Sequence, residues 1–352
     1  GGLLRSNYTS GGGTATNNTT LLTQLTNAGV AVSTMDNDEA LRTEPATIAP
    51  TPFSHFESLW AGRVFARWLR QSDLPPHRLD PPEVRRVISD GTTVSVAWML
   101  ERADSGAMVV VEGSSDGATW TELGRGTTPP VQVAASAFVR VRRVNAAGDW
   151  SDPSDTYPGS GANWLIVDGF DRIFGGGYQA PVHGFAATLC QALGGACSGA
   201  SNEAVALGQV DLANYPRVLW MLGDESRLDV TFDAAERAAI DAYLAGGGRI
   251  VVSGAEVGYA TDAAWLQGTL HATYASDSAN TATADDYTFG VAYEVKYPDV
   301  LSGSIVIWNY ATGGAAAVGW DNRVVVVGFP VETIAPAGLP SAMTTLRDYL
   351  GD

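Results

Sequence analysis

Three short runs of acidic, polar and small residues carry the side chains best suited to chemistry in this sequence. They are Asp168-Gly169-Phe170-Asp171-Arg172, Gly223-Asp224-Glu225-Ser226 and Ser253-Gly254-Ala255-Glu256. Paired carboxylates can act as general acid and general base, and their oxygens are the ligands that Ca²⁺ prefers. The same residue types also cap helices and form Asx turns, which is the structural alternative for all three runs.

Each run directly follows an apolar segment that reads as a strand buried on both faces: Trp164 to Val167, Arg217 to Leu222 and Arg249 to Ser253. Helical patterns separate these segments, so residues 162–352 are predicted to form an α/β domain with a doubly wound parallel sheet. Ligands bind such sheets beyond the carboxyl ends of the strands. The runs therefore predict one binding site, made of Asp168, Phe170, Asp171, Arg172, Gly223, Asp224, Glu225, Ser226, Ser253 and Glu256.

Two sharper hypotheses use subsets of that site. If the chain is an enzyme, Ser253, Glu256, Asp224 and Glu225 are the candidate catalytic residues of the α/β domain. If the acidic loops hold a cation, Ca²⁺ at Asp168, Asp171 and Asp224 is the expected cofactor; no other cofactor is indicated.

Residues 83–157 have the alternating pattern of a β-sandwich. Val94, Val96 and Trp98 share one face of a predicted strand, and Asp-Gly and Asn-x-x-Gly turns separate the later strands. Trp120 and Trp150 follow or end two of these turns. Packing at the core or edge is the ordinary role for both rings, and stacking on a sugar is the functional alternative.

The N-terminal part is less readable. Residues 1–73 look like the last strand and helix of a truncated α/β domain, and the proline-rich residues 74–82 form a linker. His55 is the one histidine of that segment and a further candidate catalytic residue, with helix-start packing as the alternative. The chain opens without a basic start or a Met, which suggests that it begins inside a longer precursor, after a processing site or after a remnant of an expression vector.

The composition limits the partners. A net charge of −17 repels phosphate backbones, so nucleic-acid binding is not expected. No apolar run is long enough to span a bilayer. Cys190 and Cys197 are the two cysteines, and a local disulfide in an exported protein and a pair of reduced thiols are both open readings.

The sandwich segment resembles a bacterial fibronectin type III module, through its mid-strand Trp98, the Ser115-Asp116-Gly117-Ala118-Thr119-Trp120 turn and the Asn145 to Ser151 turn. The α/β segment resembles the class I glutamine amidotransferase-like, flavodoxin-like superfamily. Three parts of this segment are Val167 to Arg172, Gly247 to Gly254 and Val327 to Ile334. They resemble the C-terminal regions of secreted bacterial xanthan lyase-like and golvesin-like proteins, and of multidomain N-acetylmuramoyl-L-alanine amidases.

That resemblance implies an extracellular or periplasmic bacterial protein and a glycan or cell-wall polymer as partner. Active amidotransferases place a Cys after the third strand, whereas this chain has Ser253 there without a Gly-x-Ser-x-Gly motif. The leading hypothesis is therefore a non-catalytic accessory or binding region. The alternative is a hydrolase or lyase whose site lies at the acidic loops or at their interface with residues 1–73.

Overall fold

The computed structural model describes residues 81–100, 107–170, 177–178, 180, 182–225 and 230–351. The predicted segment 1–73 and most of the linker 74–82 lie outside the described residues, as does His55. No described helix is both long enough and apolar enough to cross a membrane.

The strands follow one another along the described chain in this order: β1 Glu83–Ser89, β2 Thr93–Met99, β3 Met108–Ser114, β4 Thr121–Gly126, β5 Val131–Ala134, β6 Ser136–Val144, β7 Tyr157–Gly159, β8 Trp164–Asp168, β9 Cys197–Ser201, β10 Val218–Gly223, β11 Ile250–Gly254, β12 Ala272–Ser276, β13 Thr283–Ala284, β14 Tyr287–Thr288, β15 Val300–Gly303, β16 Ile305–Asn309, β17 Ala315–Trp320 and β18 Val324–Val327. The α-helices are α1 Phe185–Ala192, α2 Asn202–Ala206, α3 Ala234–Ala245, α4 Ala263–Thr269 and α5 Leu339–Tyr349. Helix α3 begins at Ala234 because Asp233, its N-cap, forms a capping box with Glu236.

The first seven strands form a fibronectin type III-like β-sandwich. Strands β1, β2 and β5 make one sheet layer, and β4, β3, β6 and β7 make the other. Val94, Val96 and Trp98 point from β2 into the space between the layers, as their alternation predicts, and all three are buried. Valines of β3 and β6 meet them from the opposite layer.

The second half differs from the predicted all-parallel sheet. Strands β9, β8, β10, β11 and β18 are parallel neighbours in the sheet. When these five strands are numbered by their position in the chain, their spatial order is 2-1-3-4-5. Antiparallel strands extend this core on both sides, giving a mixed sheet of twelve strands. The late strands β15 to β17 turn back because they are joined by short connections, which favour antiparallel pairing.

The sandwich and the α/β half share this one sheet. Strand β1 pairs antiparallel with β9 through Arg86 with Ala200 and Val87 with Gly199. A register shift between Val84 and Arg86 marks a bulge at Arg85, which is buried between Glu83 and Glu203 at 3.2 and 3.1 Å. One layer of the sandwich is thus a continuation of the α/β sheet.

Both faces of the parallel strands are covered, which explains their continuous apolar runs. One face joins the sandwich interior in a single buried cluster with α1 and α5, and the other packs against α2, α3 and α4. A disulfide joins Cys190 of α1 to Cys197 of β9, with 5.9 Å between the Cα atoms. This bond fastens a helix to the strand that meets the sandwich.

Because the two halves share a sheet and a core, Gly199→Ala is expected to weaken both together. A Cβ at Gly199 would lie 2.7 Å from the buried Tyr157 ring, and the strain should cost about 1–3 kcal/mol. Calorimetry should give one cooperative transition that moves to lower temperature. Gly268→Ala, where a Cβ meets no atom within 4 Å, is the control and should not lower it. Two separately shifting transitions would contradict the shared unit.

Candidate functional site

The carboxyl ends of the parallel strands carry the candidate site. The strand order reverses between β8 and β10, and sheets of this kind bind ligands at such a reversal. Asp168 ends β8, whereas Asp224 and Glu225 follow β10; Ser253 lies at the end of β11. All four side chains are buried. The structure therefore brings these four predicted residues to one edge of the sheet but encloses them.

Ser253 occupies the position where a nucleophile would be expected, yet its hydroxyl is committed to the backbone. It donates to the carbonyl oxygen of Phe329 and accepts from the backbone N–H of Val331, both at 2.9 Å. The residue has no solvent exposure. These contacts fasten β11 to the segment after β18, which is a structural role.

The two aspartates at the reversal also accept backbone hydrogen bonds. Asp168 accepts from the Phe170 N–H at 3.2 Å, and Asp224 accepts from the Gly177 N–H at 2.5 Å. Gly223 has a φ of 64°, and a Cβ there would lie 2.2 Å from the Phe170 ring. Glycine is required at this position so that the ring can close over the strand ends.

Sequence reasoning missed the histidine of this site. The His183 side chain is 5% exposed, and its Nδ1 lies 3.8 Å from an Asp168 oxygen and 4.0 Å from an Asp155 oxygen. Among the described residues, neither ring nitrogen has a hydrogen-bond partner. Asp155 accepts the backbone N–H of His183 at 2.6 Å, so a residue of the sandwich segment orients this loop.

Aromatic rings fill the space around His183. Phe170 and Phe185 stack with its imidazole at 5.2 and 5.1 Å between ring centroids, and Tyr178 meets it edge-on at 5.9 Å. Tyr293 packs against Phe170 at 5.6 Å. The described rings make a packed cluster between the acidic loops.

Glu332 was also missed, although it lies five residues beyond β18 and the strand-end rule would have selected it. Its carboxyl accepts a 2.5 Å hydrogen bond from Tyr293, and both side chains are buried. Burial raises the pKa of Glu332 to about 7, and the same cause raises that of Tyr293.

A second buried carboxyl lies beside Glu256. Asp299 accepts the backbone N–H groups of Gly258 and Tyr259 at 2.6 and 3.1 Å. Burial raises the pKa of Asp299 to about 8 against the lowering effect of these hydrogen bonds, and the charges of Glu256 and Asp277 raise it further. This carboxyl holds the loop after β11 against the sheet.

The remaining predicted residues have different outcomes. Asp171, Arg172 and Ser226 lie outside the described residues, so the proposed Ca²⁺ set of Asp168, Asp171 and Asp224 is only partly described. Within the described ranges, no group of three or more His, Cys, Asp and Glu residues is arranged to hold a metal ion.

Comparison with known proteins identifies no family for this chain. No family profile and no curated protein matches the chain. Among solved structures, similar ones include a titin fragment and a fibronectin type III domain of human fibronectin type III domain containing protein 3. They are 22% and 17% identical, each over 23% of this chain and over 32% and 84% of theirs, with TM-scores of 0.19.

A third similar structure is an exo-β-1,4-mannosidase from the Opitutaceae bacterium strain TAV5, which is 12% identical over 55% of this chain, with a TM-score of 0.35. The chain spans about a third of the titin fragment and of the mannosidase. The strand topology of the described residues itself defines a β-sandwich that continues into a mixed α/β sheet.

The raised pKa values of Asp299 and Glu332 predict a specific pH dependence. Below about pH 4 both carboxyls are protonated whether or not the chain is folded. Between about pH 4 and about pH 8 the unfolded chain releases protons that the folded protein keeps, so their stabilising contribution is lost as the pH rises. Asp299→Asn removes one such group, so its stability relative to the wild type should increase with pH.

Urea unfolding of wild type and variant between about pH 5 and about pH 8.5 measures this difference. Asp286→Asn, at an exposed turn position, is the matched control and should show a constant difference. A constant difference for Asp299→Asn would contradict the raised pKa.

Proposed function

We propose that this chain is a non-catalytic accessory region of an exported bacterial protein that acts on cell-wall polymers or polysaccharides, and that its role is to bind them. The supporting observation is the state of the strand ends. The hydroxyl of Ser253, at the nucleophile position, is hydrogen-bonded to the backbone of Phe329 and Val331. Asp168 and Asp224 likewise accept hydrogen bonds from backbone N–H groups. A hydroxyl held in this way has neither a base nor access to substrate.

The strand order supports a finer fold assignment. Parallel strands in the order 2-1-3-4-5 are those of flavodoxin-like sheets, the layout of the amidotransferase-like superfamily. Members that catalyse use a Cys after the strand that corresponds to β11, and this chain has Ser253 there. We therefore assign the α/β half to this superfamily as a member without its nucleophile.

The disulfide supports the proposal that the protein is exported from the cytoplasm. Cys190 and Cys197 are bonded and buried, and such bonds persist in oxidising surroundings outside the bacterial cytoplasm. The acidic surface is also consistent with an extracellular life.

One observation favours the alternative, a hydrolase or lyase. A buried His183 within 4.0 Å of Asp155 and Asp168, beside Glu332 with its raised pKa, has the residue types of acid–base catalysis. In this alternative His183 transfers the proton, and the substrate must displace the aromatic rings that pack on it.

One experiment separates the two functions. The purified chain is incubated with insoluble bacterial cell wall and with polysaccharides, and both the bound protein and any released product are measured. Binding without product is expected, and His183→Ala and Asp224→Asn should leave the bound fraction unchanged. Product release that is abolished by His183→Ala would contradict the proposal and establish the alternative. Absence of binding to every polymer would also contradict it.

A further inference from the structure

The outer face of the four-stranded sandwich sheet has an unusual set of side chains. Val109 and Val111 of β3, with Val139 and Val141 of β6, point inward and are buried. The alternate positions lie on the other face of the sheet, where the pairing register places Glu112 opposite Arg140 and the fully buried Val110 opposite Arg142. On the next strand Arg125 is opposite Val110. Three arginines therefore share one face in a chain whose net charge is −17.

Two tryptophans cover two of these arginines. The Arg140 guanidinium carbon lies 3.9 Å from the Trp120 ring centroid, and that of Arg142 lies 5.2 Å from the Trp150 ring centroid. Trp150 is 42% exposed, one of the largest exposed apolar side chains of the described residues. Its position is fixed by a bridge to Val144 and by the Asn145 turn, whose side-chain oxygen accepts the Asp149 N–H at 2.9 Å.

The three arginines differ in how their charge is balanced. Arg125 pairs with Glu122 at 2.5 Å, and Arg140 pairs with Glu112 at 2.7 Å. Arg142 instead donates two hydrogen bonds, of 3.0 and 2.8 Å, to the neutral carbonyl of Ser151. No carboxylate among the described residues forms a salt bridge with it. Within the described part of the chain, the Arg142 guanidinium thus has a neutral carbonyl as its partner and lies beside an exposed ring.

We propose that this face, centred on Arg142 and Trp150 and flanked by Arg125 and the Arg140–Trp120 stack, binds an acidic polysaccharide built from uronic acids. The ring of Trp150 offers an apolar surface for the C–H face of a sugar, and the guanidinium of Arg142 offers donors for its carboxylate. This inference rests on the proposed function and specifies the charge of the polymer and the surface that takes it.

Charge complementarity favours this polymer over other ligands. A neutral glycan would gain the stacking but not the ion pair. The net charge of −17 opposes the binding of any polyanion, and it opposes a nucleic acid, with its denser phosphate charge, more strongly than a polymer with one carboxylate on each sugar. A uronic-acid polymer has one carboxylate on each ring, so that the ion pair and the stacking are made with a single sugar unit.

The test uses polygalacturonate as the probe and its highly methyl-esterified form as a comparator with the same backbone but few charges. Isothermal titration should give binding of the wild type to polygalacturonate, weaker binding to the ester, and weakening with added salt. Trp150→Ala and Arg142→Gln should each reduce the affinity by about tenfold or more. Tyr297→Ala, at a 56% exposed tyrosine of the other half, and Arg347→Gln on α5 are matched controls that should bind as the wild type does.

Circular dichroism and melting establish that each variant is folded, and Arg142→Gln alone suffices if Trp150→Ala does not fold. Equal affinity of the two patch variants and the wild type would overturn this inference while leaving the proposed function in place. Equal binding of the ester, or equal binding of duplex DNA, would also overturn it. No binding of polygalacturonate together with binding of a neutral polymer would overturn this inference alone.

Discussion

The antiparallel pairing of β1 with β9 is the contact on which the rest of the molecule depends. A sandwich that ended at β1 would leave an open strand edge, and pairing with β9 satisfies its backbone groups. Close approach is possible because Gly199 has no side chain to meet Tyr157. The buried Arg85 is compensated from both sides by Glu83 and Glu203, which belong to different halves. The junction therefore requires both halves to be folded.

The strand ends of the α/β half and the outer face of the sandwich differ in how their polar side chains are used. At the strand ends, polar side chains form hydrogen bonds that hold the loops, and Phe170 closes over Gly223. On the sandwich, the outer face of β3, β4 and β6 keeps its arginines and tryptophans at the surface. Because the shared sheet fixes the sandwich, that face is presented in a constant direction. A rigid platform loses little conformational freedom when it binds a polymer.

Much of the fold can be read from the sequence, since β8, β10 and β11 are continuous apolar runs and β2 alternates clearly. Strand β9 could not be predicted, because Cys197-Ser198-Gly199-Ala200-Ser201 is neither a continuous apolar run nor an alternating pattern. Its small residues are all buried in the centre of the sheet. The sequence also predicted that Asp168, Asp224 and Ser253 lie at one edge of the sheet, and the structure places them there. Asp155 and His183 were not predicted as site residues because their contact joins the sandwich segment to the α/β half. A local sequence pattern does not indicate a contact between residues that lie far apart in the chain.

Hydroxyl-radical footprinting tests most directly which surface is functional, since the exposed aromatic side chains act as built-in reporters. Trp150 reports on the sandwich face, Tyr259, 46% exposed, on the loop after β11, and Tyr297 on a remote surface. With polygalacturonate bound, oxidation of Trp150 should fall while oxidation of Tyr259 and Tyr297 stays unchanged. Protection of Tyr259 with Trp150 still fully oxidised would move the ligand to the strand ends and contradict the account.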